Sequence, residues 1–106
     1  METLATPDAV DAFLARPGPR WLFKHSSTCP VSAGARREME AFLGERPAEE
    51  AGLVVVQEHR PASDHAARVL AVSHETPQAL LLRGGKVLWH ASHYRITRKS
   101  LAEARA

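Results

Sequence analysis

The residues best suited to chemistry lie around the only cysteine of this 106-residue chain. Cys29 follows a short polar segment, and Pro30 comes directly after it. Proline is favoured at the first position of a helix, because the N–H that it lacks would be unpaired there. The sequence therefore predicts that Cys29 lies at a helix N-terminus. Unpaired backbone N–H groups and the positive end of the helix dipole favour the thiolate there, which is the nucleophilic form of cysteine.

The spacing Cys29-x-x-Ser32 is that of a Cys-x-x-Cys redox motif in which a hydroxyl replaces the second sulfur. It predicts thiol–disulfide exchange with one thiol, with Cys29 as the catalytic residue and Thr28, Pro30 and Ser32 in support. Two alternatives remain open. A lone cysteine is often a buried, inert residue. The Ser32 hydroxyl either binds the sulfur or only belongs to a polar residue of the first helical turn.

Composition limits the classes of partner. The 44% hydrophobic and 25% charged residues are ordinary for a globular protein, and the length suits one domain over residues 1–106. Basic and acidic residues are interspersed at a net charge of +2, so no nucleic-acid partner is expected. No apolar run approaches the ~20 residues that span a bilayer, so no membrane partner is expected. The N-terminus lacks the pattern of a secretory signal, and one cysteine excludes an internal disulfide; both predict a cytoplasmic protein.

Hydrophobic spacing predicts the elements that must position the cysteine, in the order α-β-α-β-α-β-β-α. Helices are predicted from Pro7, over Pro30–Gly44, from Ser63 and from Thr97, and strands over Arg20–His25, Leu53–Val56, Ala79–Leu82 and Val87–His90. A right-handed crossover lays the first two strands parallel, and the turn at Gly84-Gly85 makes the last two antiparallel. The result is an α/β fold of the thioredoxin-like type, with a four-stranded mixed sheet and helices on both faces.

This topology brings separate segments to the sheet edge that carries Cys29. They are His59-Arg60, Thr76-Pro77 and the segment from His90 to Arg95. Arg60 either binds a carboxylate of the substrate bidentately or is an ordinary solvated loop residue. Lys24 precedes the cysteine on its strand and either faces solvent or places positive charge beside the sulfur.

The six histidines do not predict a metal site. His90 and His93 could pair with Cys29, but a fourth protein ligand is missing. His25 and His74 are expected to pack or to form hydrogen bonds rather than to act as bases.

Four strings carry a resemblance to a known family. They are Phe23–Ser32, His59-Arg60-Pro61, His74–Gln78 and Gly85–His93. They resemble monothiol bacilliredoxins of the YtxJ type, thioredoxin-fold proteins of bacteria that use bacillithiol in place of glutathione. The likeness extends from about Arg20 to the last helix. It implies that the protein removes bacillithiol from protein cysteines, with bacillithiol as co-substrate and no tightly bound cofactor. The implied partners are bacillithiolated client proteins and a low-molecular-weight thiol.

The resemblance also assigns substrate contacts. In thioredoxin and monothiol glutaredoxin folds the proline before the hairpin is cis, and the residue before it offers its backbone to the bound thiol. This implies that Pro77 is cis and that Thr76 contacts the ligand. The alternative is a trans proline in a turn, since most X–Pro bonds are trans. The carboxylates of bacillithiol would meet Arg60 and His93.

The rival function is a thioredoxin-fold adaptor that binds a protein client without turnover. Peroxide reduction ranks last, because it needs an arginine and a threonine around the sulfur, and Thr28 is adjacent to Cys29 rather than one turn away.

Overall fold

The computed structural model describes residues 1–106 and contains one mixed sheet between two layers of helices. The strands are β1 (Glu2–Thr3), β2 (Pro19–His25), β3 (Ala51–Val55), β4 (Gln78–Arg83) and β5 (Lys86–Ser92). The helices are α1 (Pro7–Leu14), α2 (Pro30–Glu45), α3 (Arg60–Leu70) and α4 (Arg98–Arg105), with a 3₁₀ helix at His93–Arg95. The strand order across the sheet is β1-β3-β2-β4-β5. β1, β3 and β2 are parallel, and β4 and β5 are each antiparallel to the strand before them in that order.

The predicted four-stranded sheet is wrong by one strand. β1 is a two-residue edge strand that pairs with β3 at Gly52 and Leu53. A segment of two residues is too short to show hydrophobic periodicity, so the local sequence does not predict a strand here. The segment is held by the buried Leu4, whose N–H donates to the carbonyl of Leu53 at 2.8 Å. The element order is therefore β-α-β-α-β-α-β-β-α.

The predicted start of the third helix is also corrected. α3 begins at Arg60 rather than at Ser63. Pro61 lies in its first turn, where the missing N–H costs nothing. Arg60 is thus the first residue of a helix and not part of a loop.

Local signals place the remaining elements correctly. The Thr6 hydroxyl accepts from the N–H of Ala9 at 3.1 Å and caps α1, and Thr97 and Ser100 form a reciprocal capping box at the start of α4. Gly84 and Gly85 both have positive φ, as a tight two-residue hairpin turn requires.

β2 is the centre of the molecule. Trp21 and Phe23 point into the core formed with α2 and α4, and Leu22 points into the core formed with α1 and α3. All three are fully buried, and burial of side chains of this size stabilises the fold by roughly 1.5–3 kcal/mol each. The segment that leads to Cys29 therefore leaves from a strand that is fixed on both faces.

Candidate functional site

Cys29 caps the N-terminus of α2. Its backbone is extended, its carbonyl accepts the N–H of Ala33 at 3.0 Å, and Pro30 is the first helical residue. The prediction that the cysteine introduces a helix is confirmed. Cys29 is partly exposed, so it is not the buried, inert cysteine of the alternative interpretation. The residue precedes the unpaired N–H groups of a first helical turn, which favour an anion, although its side chain forms no capping hydrogen bond.

The cysteine loop, residues 26–28, is held by the side chain of a residue that follows another strand. Gln57 follows β3, and its Oε1 accepts the N–H of Ser27 at 3.2 Å. Its Nε2 donates to the hydroxyls of Ser26 at 2.6 Å and Thr28 at 3.1 Å. The sequence alone did not single out Gln57. The available signal is its position directly after a buried strand that is parallel to β2, which places it at the edge that carries Cys29.

Ser32 lies under the loop rather than beside the sulfur. Its side chain is fully buried, and its Oγ accepts the N–H of Ser26 at 2.9 Å. The same oxygen lies 2.8 Å from Nδ1 of His25. No hydrogen bond joins it to Cys29, so the hydroxyl ties the first turn of α2 to the end of β2. Ser32 supports the site through the backbone of the loop.

His25 is a hydrogen-bonding core residue, as the sequence predicted. Burial lowers its pKa because the imidazolium loses water, and the positive charge of Arg36 lowers it further against the opposing charge of Glu40. Its ring also stacks on Phe23. His25 is therefore neutral at neutral pH.

The proline turn, Thr76-Pro77, lies beside the end of β2. The bond between the two residues is cis, which confirms the prediction. Gln78 pairs with Lys24 in the sheet, so the proline turn is level with the residues that lead into the cysteine loop. The Pro77 carbonyl accepts the N–H of His93 at 3.1 Å, which joins the 3₁₀ helix to the turn. The cysteine loop, the proline turn and His93 thus meet at one sheet edge.

Lys24 does not face solvent, which excludes one of the two alternatives for this residue. Its side chain is only 1% exposed and points to the α3 face, where its Nζ lies 2.8 Å from Nδ1 of His74. Burial lowers the pKa of Lys24 to about 8, against the opposing charge of Asp64. Partial burial and the Lys24 charge lower the pKa of His74 as well, and Arg60 adds to this effect. His74 is a hydrogen-bonding residue, as predicted, and its Nε2 lies 3.3 Å from Oγ1 of Thr76.

Arg60 is exposed and no residue of the chain holds its guanidinium. Its charge reaches His74, which places it on the proline-turn side of the site. A ligand contact by Arg60 remains a prediction.

A groove of about 460 Å³ begins one residue after the cysteine. Pro30 and Val31 of α2 form one wall, and His93 and Tyr94 of the 3₁₀ helix form the other. Tyr94 is 83% exposed, so most of its ring is open to solvent beside the groove. A group attached to Cys29 therefore has an open, partly apolar surface next to it.

Neither a cluster of metal-ligating side chains nor a membrane-spanning helix is found. No three His, Cys, Asp or Glu side chains lie close enough together to hold a metal ion. None of the helices has the length and apolar character needed to cross a bilayer.

Most of the chain matches one known protein family. Residues 2–101 match the model of the family described as monothiol bacilliredoxin BrxC. The chain belongs to the monothiol bacilliredoxin family. Its single cysteine agrees with the monothiol character of the family.

Solved structures show the same fold. One of them is a protein with a thioredoxin fold that is provisionally assigned as an oxidoreductase. It is 33% identical to this chain, and the two structures superpose with a TM-score of 0.93 over 99% of this chain and 93% of that one. Thioredoxin from Fasciola hepatica is 19% identical, with a TM-score of 0.77 over 97% and 94% of the two chains, and supports the fold alone. Family and fold together indicate a thiol–disulfide oxidoreductase that deals with a low-molecular-weight thiol and protein disulfides.

Proposed function

We propose that the protein removes bacillithiol, or a similar low-molecular-weight thiol, from mixed disulfides of bacillithiolated client proteins in the cytoplasm. The observation that carries the proposal is one partly exposed cysteine at the N-terminus of α2, at the same sheet edge as the cis Thr76-Pro77 bond. Because no second cysteine exists, no internal disulfide can trap the site. Bacillithiol acts as co-substrate, and no tightly bound cofactor takes part.

The reaction consists of two exchanges. The Cys29 thiolate attacks the small-thiol sulfur of the mixed disulfide, so that a new S–S bond forms and the bond to the client sulfur breaks. The client thiolate leaves and takes a proton from water. A second molecule of the small thiol, as thiolate, then attacks the same sulfur of the adduct. Cys29 is released as thiolate, and the two small thiols leave as their disulfide.

The chain supplies binding groups around that sulfur. The Thr76 backbone offers an N–H and a carbonyl to the ligand, with Pro77 against the sulfur. Arg60 and His93 meet the carboxylates of the small thiol. Arg60 can do so bidentately because guanidinium and carboxylate geometries match.

Substitution of the nucleophile tests the reaction. Cys29→Ser should reduce release of the small thiol from a model mixed disulfide to the background rate, while the folded state persists, because a hydroxyl is not nucleophilic at neutral pH. Release is measured by intact mass spectrometry of the client. Turnover equal to that of the wild type in the serine variant would exclude the mechanism. A client that binds both forms equally without release would support the adaptor function instead.

The identity of the small thiol is tested separately. The wild-type protein is exposed to the oxidised forms of bacillithiol, glutathione and coenzyme A, and the adduct on Cys29 is read from intact mass. We expect the bacillithiol adduct to form and to be resolved by added bacillithiol fastest. Faster resolution of another adduct would mean that the thiol in that adduct, and not bacillithiol, is the substrate.

A further inference from the structure

A buried cation lies behind the proline turn and contacts a histidine. The Lys24 side chain is 1% exposed, and its Nζ lies 2.8 Å from Nδ1 of His74. A protonated lysine only donates hydrogen bonds, so Nδ1 must accept. The neutral imidazole then carries its proton on Nε2, because the partner of one ring nitrogen fixes the tautomer.

The second ring nitrogen faces the residue that precedes the cis proline. Nε2 of His74 lies 3.3 Å from Oγ1 of Thr76. With the proton on Nε2, the imidazole donates to the Thr76 oxygen, and the hydroxyl proton of Thr76 is left to donate elsewhere. Thr76 immediately precedes the cis proline, so this free donor lies in the proline turn. Ser63 of α3 approaches Nδ1 at 3.3 Å and, as an alternative donor to the single lone pair of this nitrogen, favours the same tautomer.

Surrounding charges keep His74 neutral. Partial burial, Lys24 and Arg60 all lower its pKa, and only Asp64 and Glu75 oppose them. A buried ammonium is costly unless it is hydrogen-bonded, so Lys24 also gains from the contact. Linked hydrogen bonds polarise one another, which strengthens the final donor.

We propose that Lys24 is a positioning residue that acts through His74 to present the Thr76 hydroxyl as a hydrogen-bond donor to the bound small thiol. The acceptor is a carboxylate or amide oxygen of the small-thiol half of the mixed disulfide. This inference rests on the proposed function, since it names a contact of the same site. The chain of groups Lys24–His74–Thr76 is called the relay below.

Arg20 provides a matched control for a merely structural role of Lys24. It is a second buried cation on β2, 2% exposed, and it points to the same face of the sheet. It lies roughly 13 Å from Lys24 along the strand. Its partners are the Pro17 carbonyl at 2.6 Å and Glu50 at 3.0 Å, which belong to the other end of the molecule. Arg20→Met therefore removes a buried charge without touching the relay.

Steady-state kinetics with a client that carries the small thiol tests the contact. Thr76→Val and Lys24→Met should each raise KM roughly five-fold, the effect of one hydrogen bond, with kcat little changed. The double variant should be no worse than Thr76→Val alone, because both changes remove the same bond. Arg20→Met should leave KM unchanged. His74→Ala, at an exposed position, gives a second variant if Lys24→Met does not fold, and should match Thr76→Val. A KM for Lys24→Met or His74→Ala equal to that of Arg20→Met, or multiplying effects in the double variant, would overturn the inference.

The tautomer of His74 gives a readout that does not depend on turnover. In the ¹⁵N spectrum of the histidine-labelled protein, we expect the Nε2–H tautomer in the wild type and in Arg20→Met, and a mixture in Lys24→Met. A wild-type ring protonated on Nδ1 would overturn the relay even if release of the small thiol depends on Cys29. Conversely, a protein that shows the Nε2–H tautomer but releases no small thiol would contradict the proposed function and not the hydrogen bonds of the relay.

Discussion

At the scale of single residues, one amide side chain holds the loop that leads to the cysteine. Gln57 binds the backbone of Ser27 and the hydroxyls of Ser26 and Thr28. These bonds fix the three residues that carry the chain from β2 to Cys29. The position of the sulfur relative to the proline turn is therefore set partly from β3, a strand that contributes no reactive group.

Removal of this amide should impair the reaction more than the fold. Gln57→Leu loses all three hydrogen bonds, and we expect kcat/KM for release of the small thiol to fall roughly ten-fold, because a loop that moves by about 1 Å misplaces the nucleophile. Since Gln57 is exposed, the free energy of unfolding should change by only about 1 kcal/mol. Both quantities are measured on the same preparation.

A conservative variant controls for side-chain size. Gln57→Glu retains an acceptor for the N–H of Ser27, and its carboxylate can accept hydrogen bonds that the Ser26 and Thr28 hydroxyls donate, so its kcat/KM should lie closer to that of the wild type than to that of Gln57→Leu. Wild-type kcat/KM in Gln57→Leu would show that the loop needs no such restraint.

At the scale of elements, the edge strand β1 depends on a missing side chain. A Cβ placed on Gly52 of β3 would lie 2.6 Å from Cδ1 of Leu4 and 3.2 Å from the Phe13 ring. The absence of a side chain at Gly52 lets Leu4 pack under β3, and this packing holds β1 and α1 on the sheet. Glycine at position 52 therefore favours the packing that keeps the fifth strand on the sheet.

A methyl group at this position should weaken the fold. Gly52→Ala is expected to lower the free energy of unfolding by about 1–3 kcal/mol, because Leu4 must move out of its packed position. Urea denaturation followed by circular dichroism measures the loss.

Gly44 of α2 is the matched control. A Cβ there meets nothing within 4 Å. Gly44→Ala should raise stability by up to about 1 kcal/mol, because alanine is the better helix former. Equal effects of the two substitutions would mean that Leu4 does not constrain position 52.

At the scale of the whole molecule, the site is built from segments far apart in the chain around one buried strand. β2 carries the cysteine loop at its end, and its Lys24 faces Asp64 of α3 and the ring of His74. The charges of Arg60 and Glu75 act in turn on His74. The protonation of this lysine is therefore linked to folding of the entire chain.

This linkage predicts the direction of a pH effect. Burial lowers the pKa of Lys24 to about 8 in the folded protein, from 10.5 in the unfolded chain. Between these values the unfolded chain binds more protons, so the free energy of unfolding should rise as pH increases from about 8 to about 10.5. The gain is on the order of 2 kcal/mol and is lost again as pH falls through 8.

Comparison with Lys24→Met isolates this contribution from other titrating groups. The difference in stability between wild type and variant, measured by urea denaturation at several pH values, should shift in favour of the wild type as pH rises. A difference that is constant from pH 7 to pH 10.5 would show that the buried amine does not titrate in this range.

The sequence by itself determined the features that depend on near neighbours. The start of α2 at Pro30, the caps at Thr6 and Thr97 and the turn at Gly84-Gly85 follow from backbone preferences of a few adjacent residues. The alternation of strands and helices follows from hydrophobic spacing in the same way. Together they were enough to place Cys29 at a helix N-terminus and to predict the thioredoxin-like architecture.

Only the tertiary structure decided where the polar side chains of the site point. Gln57 and the cysteine loop are about 30 residues apart, and Lys24 and His74 are 50 apart. The two-residue β1 is too short to show a period, and the Ser32 hydroxyl turns to His25 although its spacing from Cys29 suggested the sulfur. Such contacts depend on strand register and side-chain rotamers, which are fixed only when distant segments pack together, because no local preference of the chain distinguishes one partner from another.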